Sequence, residues 1–158
     1  MTKATVTVSK DNPQTVIIER TFDAPRDKVF KAFTTKELVE KWWVGPGYSV
    51  DVQKLDAHDG GSWRFVQTNQ EGQEFPFHGS FHKVSPEMTI QTFEFDGLPE
   101  QGHASLDKMT LTEENGKTHM RIESTYMSVT DLNGMLQSGM EDGMQNTYNQ
   151  LDEVLEQM

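Results

Sequence analysis

The chain has 158 residues, and its 14 Lys plus Arg against 25 Asp plus Glu give a formal net charge of -11, with the acidic residues scattered rather than gathered in a tail. That field repels phosphate backbones and anionic bilayers, so neither nucleic acid nor a membrane is an expected partner. Without cysteine there is no disulfide framework, thiol nucleophile or cysteine-ligated metal; with no apolar leader and no bilayer-length apolar run either, a cytoplasmic location is expected.

The length suits a single domain spanning 1–158, with polar residues 1–13, closing on Asn12-Pro13, as a loose lead-in or edge segment. QTVIIERTF (14–22) is β-branched and reads as a strand. Pro25 suits a first helical position, and Val29, Phe30 and Phe33 supply a buried stripe on PRDKVFKAFT. Thr34 followed by Glu37 matches a capping box, which predicts a second short helix from Thr35 to about Trp43, ended by Gly45-Pro46-Gly47.

From Tyr48 the apolar period becomes two. YSVDVQKL, SWRFVQTN, EFPFHGSFHKV, TIQTFEFDG, DKMTLTEE and THMRIESTYM are strand candidates, with 96–105 as a loop and Asn115-Gly116 as a hairpin turn. With the first strand they predict a seven-stranded (six to seven) antiparallel sheet. Helical spacing returns at the end, where Met144, Tyr148, Leu151, Leu155 and Met158 recur at three and four residues. One helix over 132–157 would be about 39 Å long, more than a domain of this size spans, so an interruption is expected near Ser138 or Gly139. The final helix should then start near Gly139 and run about 30 Å.

This order, together with RTFDAPRDKVFKAFTT (20–35), KWWVGP (41–46), LDAHDGGSWRFV (55–66), GSFHKVSPEMTIQTFEF (79–95) and GMEDGMQNTYNQLDEVL (139–155), resembles the helix-grip domains of the START-like (SRPBCC) superfamily. More closely it is similar to the bacterial homologues of the heat-shock-protein-90 ATPase activator. The resemblance implies an α+β fold in which a strongly curved antiparallel sheet wraps around a long C-terminal helix, with two short helices between strands 1 and 2. It also implies a cavity between helix and sheet, of the kind that holds lipids, sterols or polyketides elsewhere in the superfamily. The family's name adds an implied link to the stress response, while the subfamily carries no agreed catalytic motif. Met144 stands where many relatives carry Trp.

The tryptophan pair in EKWWVGPGYSV needs separate environments, because successive helical residues point about 100° apart. Trp42, with Leu38, is expected to seal the core and Trp43 to face the cavity rim. Strand parity then offers a lining: Trp63 and Phe65 share one strand face, as do Phe75 with Phe77, Phe93 with Phe95, and Met120 with Ile122. Met140, Met144 and Tyr148 complete it from the last helix, so the expected ligand-contacting set is Trp43, Trp63, Phe65, Phe77, Phe93, Phe95, Met120, Ile122, Met140, Met144 and Tyr148. His78 and His82 share a strand face at about 13 Å, too far apart to hold one metal, so no metal or other cofactor is expected.

These features point first to a non-enzymatic binding domain for a small apolar or aromatic molecule. The net charge disfavours an anionic ligand unless a basic residue such as Arg64 offsets it. A cyclase- or hydrolase-type enzyme would instead need a buried acid or base in the cavity, for which Tyr48, His78, Glu94, Glu123 and Tyr148 are the candidates. Interaction with a chaperone would need an exposed apolar patch around Trp43 to Tyr48. A monomer or weak dimer is expected.

Overall fold

The computed structural model describes residues 3–158. Its strands are β1 (Thr5–Val8), β2 (Thr15–Phe22), β3 (Ser49–Leu55), β4 (Ser62–Thr68), β5 (Glu74–Val84), β6 (Met88–Phe95), β7 (Ser105–Glu114) and β8 (Lys117–Tyr126). They form one antiparallel sheet in the order β1-β2-β8-β7-β6-β5-β4-β3. Helices α1 (Arg26–Thr34) and α2 (Lys36–Trp42) lie between β2 and β3, and α3 (Val129–Gln137) and α4 (Met140–Glu156) close the chain. The fold is thus the expected α+β helix grip, with eight strands rather than six to seven. The addition is β1, within the segment expected to be loose or an edge: its Thr-Val alternation pairs Val6 with Ile18 at the end of the sheet. Residues 1 and 2 of that segment lie outside the described residues. Gln145 of α4 ties β1 down by bonding both backbone groups of Ala4, at 3.1 and 2.7 Å.

Two register shifts, at Val52/Lys54 in β3 and Phe81/Lys83 in β5, bend the sheet at the end away from β1. Curvature splits the apolar interior. One cluster, including Val16, Phe22, Val29, Trp42, Met120, Leu132, Leu151 and Leu155, fills the space between α1, α2, α4 and the β2–β8 region. A second, with Val39, Val52, Trp63, Phe65 and Phe81 at its centre, fills the β3–β5 end. Trp43 packs against both.

Helix ends follow local chemistry with one correction. The hydroxyl of Thr34 donates to the Phe30 carbonyl at 2.8 Å instead of capping α2, whose N-cap is Thr35 with no side-chain cap bond; the expected capping box is absent. Back-bonding within α1 outcompetes it. Ser128 caps α3 by accepting from the Asp131 N–H. The final helix breaks where expected. Gly139 sits at φ +84° between α3 and α4, a conformation costly for a residue with a Cβ, and the 17 residues of α4 span about 26 Å.

The grip also has a polar tie. Arg20 of β2 is fully buried, and its Nη2 donates to Asp152 of α4 at 2.5 Å and to Asn149 at 3.3 Å. Its guanidinium lies over the Phe22 ring, 5.1 Å from the centroid, so aromatic faces take part of the charge.

Candidate functional site

Trp42 and Trp43 separate as their angular offset requires. Trp42 is 2% exposed, its indole N–H donates to the Ala32 carbonyl at 2.9 Å, and its ring meets Phe33 edge-on at 4.8 Å. Trp43 is half-buried and turned toward the sheet, with edge contacts to Phe65 and Phe77 at 5.1 Å each and to Trp63 at 6.4 Å. Its carbonyl accepts from the Gln67 side chain at 3.0 Å, which pins the end of α2 onto β4.

Those contacts open an aromatic wall on the inner face of β4, β5 and β6. Trp63 stacks near Phe65 at 4.7 Å and Phe93 at 5.9 Å, and Phe77 meets Phe93 and Phe95 at 5.5 and 5.0 Å. Gly79, opposite Trp63 in the register, makes this possible: a Cβ there would stand 2.4 Å from the indole nitrogen and 1.9 Å from the Thr92 carbonyl oxygen. The remaining residues of the expected contact set also face inward. Tyr148 is buried, 5.8 Å from Phe22, and Met120 has no exposed surface, so both belong to the packed core. Ile122, Met140 and Met144 pack on that core but stay half-buried, Phe77 and Phe93 are half-buried against the other cluster, and Phe95 is half-buried beside Phe77. Trp43 thus lies where the two clusters meet, and several inward-facing rings and thioethers around that junction keep accessible surface.

Asp107 is the inner-face residue that the sequence reading passed over. It lies on β7 in register with Gln91 of β6 and Ser124 of β8, on the same face as Met109 and Leu111. The hydroxyls of Ser105, at 2.9 Å, and of Ser124 both donate to its Oδ1. No hydrogen bond reaches Oδ2 among the described residues. Desolvation dominates and pushes the Asp107 carboxyl up to about 6, against the pull of the two serines. Their own burial, and after it the same charge, raise the phenols of Tyr126, to about 12, and Tyr148. The available signal is parity: Asp107 opens the expected strand DKMTLTEE and stands two and four residues before the apolar inward positions Met109 and Leu111.

The other titratable candidates point elsewhere. Arg64, His78 and Glu94 form a row across β4, β5 and β6 on the outer face, where Asp96 takes Arg64 at 2.8 Å and approaches His78 Nδ1 at 2.7 Å. Arg64 therefore cannot offset charge in the expected cavity. Single donor atoms of His78, Glu94 and Asp96 lie within 4.8 Å of one another, a spacing that His78 and His82 could never offer. Arg64 on Asp96 and the Gly102 N–H on Glu94, at 2.7 Å, already occupy both carboxylates, so the row reads as an outer-face ion-pair network. Glu123 pairs with Arg121 on the outside of β8, and Tyr48 is exposed against Phe75.

A curved antiparallel sheet closed over a C-terminal helix, with paired short helices after the second strand, defines a helix-grip domain of the START-like class. The profile of the family described as Activator of Hsp90 ATPase homolog 1-like protein matches residues 23–156, and the chain belongs to that family. The human protein named Activator of 90 kDa heat shock protein ATPase homolog 1 is 28% identical over 109 residues, covering 68% of this chain but only 28% of that protein's length. Among solved structures, a protein from Rhodobacter sphaeroides superposes with a TM-score of 0.90 at 22% identity over 99% of both chains. Protein Ms6760 from Mycobacterium smegmatis gives 0.84 at 25% identity over 96% of both. A Staphylococcus epidermidis protein gives 0.82 at 28% identity, covering 96% of this chain and 94% of that one. No described helix is long and apolar enough to cross a membrane.

Proposed function

We propose that the protein binds a small hydrophobic or aromatic molecule in a chamber between the sheet and α4, without catalysis. The observation that carries this reading is the half-buried state of inward-facing Trp43, Phe77 and Phe93: a core without an occupant would close over such rings, since leaving them wet forgoes about 25 cal/mol per Å². The proposed contact set is the one drawn from strand parity, with Trp63, Phe65, Met120 and Tyr148 as its rigid backing. A cyclase- or hydrolase-type reaction has less support, because the tyrosines near Asp107 are held neutral by their raised pKa values and make poor bases. A chaperone partner, suggested by the human relative's name, has less support too, because Trp43 turns inward instead of presenting an exposed patch.

Titration with the neutral dye Nile red tests the proposal. Wild-type protein should bind it with enhanced fluorescence, and Trp43→Ala should weaken binding by about 1 to 2 kcal/mol, while the variant stays folded. Dye binding that is absent, or unchanged by the substitution, would contradict the chamber.

A further inference from the structure

The ion-pair network on the outer face occupies one oxygen of each of its carboxylates and turns the other toward His78. Asp96 Oδ2 takes Arg64 and Glu94 Oε2 takes the Gly102 N–H. Asp96 Oδ1 stands 2.7 Å from His78 Nδ1, and Glu94 Oε1 stands 3.8 Å from Nε2. Strand geometry puts them there: His78 faces Glu94 across β5 and β6, and the inward Phe95 leaves Glu94 and Asp96 outward on either side of it.

Three observations set this cluster apart. One donor atom from each of His78, Glu94 and Asp96 lies within 4.8 Å of the others. His78 Nδ1 is buried and makes no hydrogen bond among the described residues, because the Asp96 oxygen is close enough but out of line. Buried polar atoms are ordinarily satisfied, so this nitrogen marks a partner that the chain does not supply. The cluster also borders an open groove of about 710 Å³, walled by Arg64, Gln101 and Gly102.

The donor set decides the partner. An ion about 2.1 Å from both atoms of a pair 2.7 Å apart sees them at close to a right angle, an ordinary angle between neighbouring ligands. One imidazole nitrogen with two carboxylate oxygens suits a divalent transition metal better than Mg2+ or Ca2+, which prefer oxygen alone. The Glu94 and Asp96 side chains are only 15% and 22% exposed, so water and salt screen them less than free surface carboxylates. Arg64 offsets one of these two charges, but like the Gly102 N–H it holds its carboxylate with the second oxygen toward His78, as outer partners of metal ligands do.

We propose that His78, Glu94 and Asp96 bind a divalent transition-metal ion such as Zn2+, with its remaining coordination positions open to the groove. The site lies on the opposite face of the sheet from the chamber and does not depend on it.

Calorimetric titration of metal-free protein with Zn2+ tests this on wild type, His78→Ala and Glu94→Gln, each checked for folding by circular dichroism. His103→Ala is the control, since His103 also sits between carboxylates but its Nδ1 is already bonded to Asp131 at 3.0 Å. Wild type should bind one equivalent of Zn2+ that millimolar Mg2+ does not displace. His78→Ala and Glu94→Gln should each weaken binding at least about tenfold, with His103→Ala unchanged. Co2+ in place of Zn2+ should give visible absorption bands that His78→Ala abolishes. Absence of saturable Zn2+ binding in wild type, an affinity unchanged by either His78→Ala or Glu94→Gln, or an equal loss in His103→Ala overturns the site.

Discussion

Adjacent tryptophans take opposite roles here because a helix turns about 100° per residue and α2 ends against two different clusters. Trp42 has its N–H satisfied and its ring enclosed, so Trp42→Ala should cost about 3 to 5 kcal/mol in urea melts, against much less for Trp43→Ala. Equal losses would mean that Trp43 is plain core. Asp107 supplies a second test at this scale. Its carboxyl is raised from 3.8 to about 6 in the folded chain, so the folded state holds a proton that the unfolded chain has released. Stability from this group is full below about pH 4 and lost as pH rises through 6, by up to about 3 kcal/mol. Asp107→Asn should therefore gain on wild type between pH 4 and 7, measured as the difference between their unfolding free energies. Parallel profiles would show that the carboxyl is not desolvated. Angular spacing made the tryptophans legible in sequence. Asp107 was not, because an acidic residue beside a presumed loop reads as solvent-facing, and only the pairing of Ser105 with Tyr126 shows that the strand began earlier.

At the scale of elements, α4 was the most legible part of the chain. Its apolar spacing, its excess length and its glycine agreed, and the break falls at Gly139 with Leu151 and Leu155 buried. Leu151 has no exposed surface, so Leu151→Ala should destabilise by about 2 to 5 kcal/mol in a denaturant melt; a loss below about half a kcal/mol would place that helix face in solvent. Elements whose form depends on distant partners were harder to read. β1 is four residues of Thr and Val that form a strand because β2 offers an edge, and α2 lacks its capping box because Thr34 found a nearer acceptor in α1. A local motif states what a segment can do, and the competing partner settles what it does.

For the whole molecule, the fold consists of two apolar clusters joined through Trp43 and kept apart by the bend of the sheet, with the grip of α4 secured by Arg20 on Asp152 and by Gln145 on Ala4. The half-buried rings gather where the two clusters meet, and the proposed ligand chamber is placed there. The methionines give direct reporters of it: Met140 and Met144 on α4 and Met109 on β7 pack toward the interior, whereas Met127 is 67% exposed. Methyl NMR of 13C-methyl-methionine protein during titration with 2-phenylethanol tests the central claim, since a small neutral aromatic molecule is what the proposed chamber should take up. The account predicts progressive shifts of the Met109, Met140 and Met144 methyls with Met127 unmoved. Shifts confined to Met127, or none at all up to millimolar ligand, would contradict it.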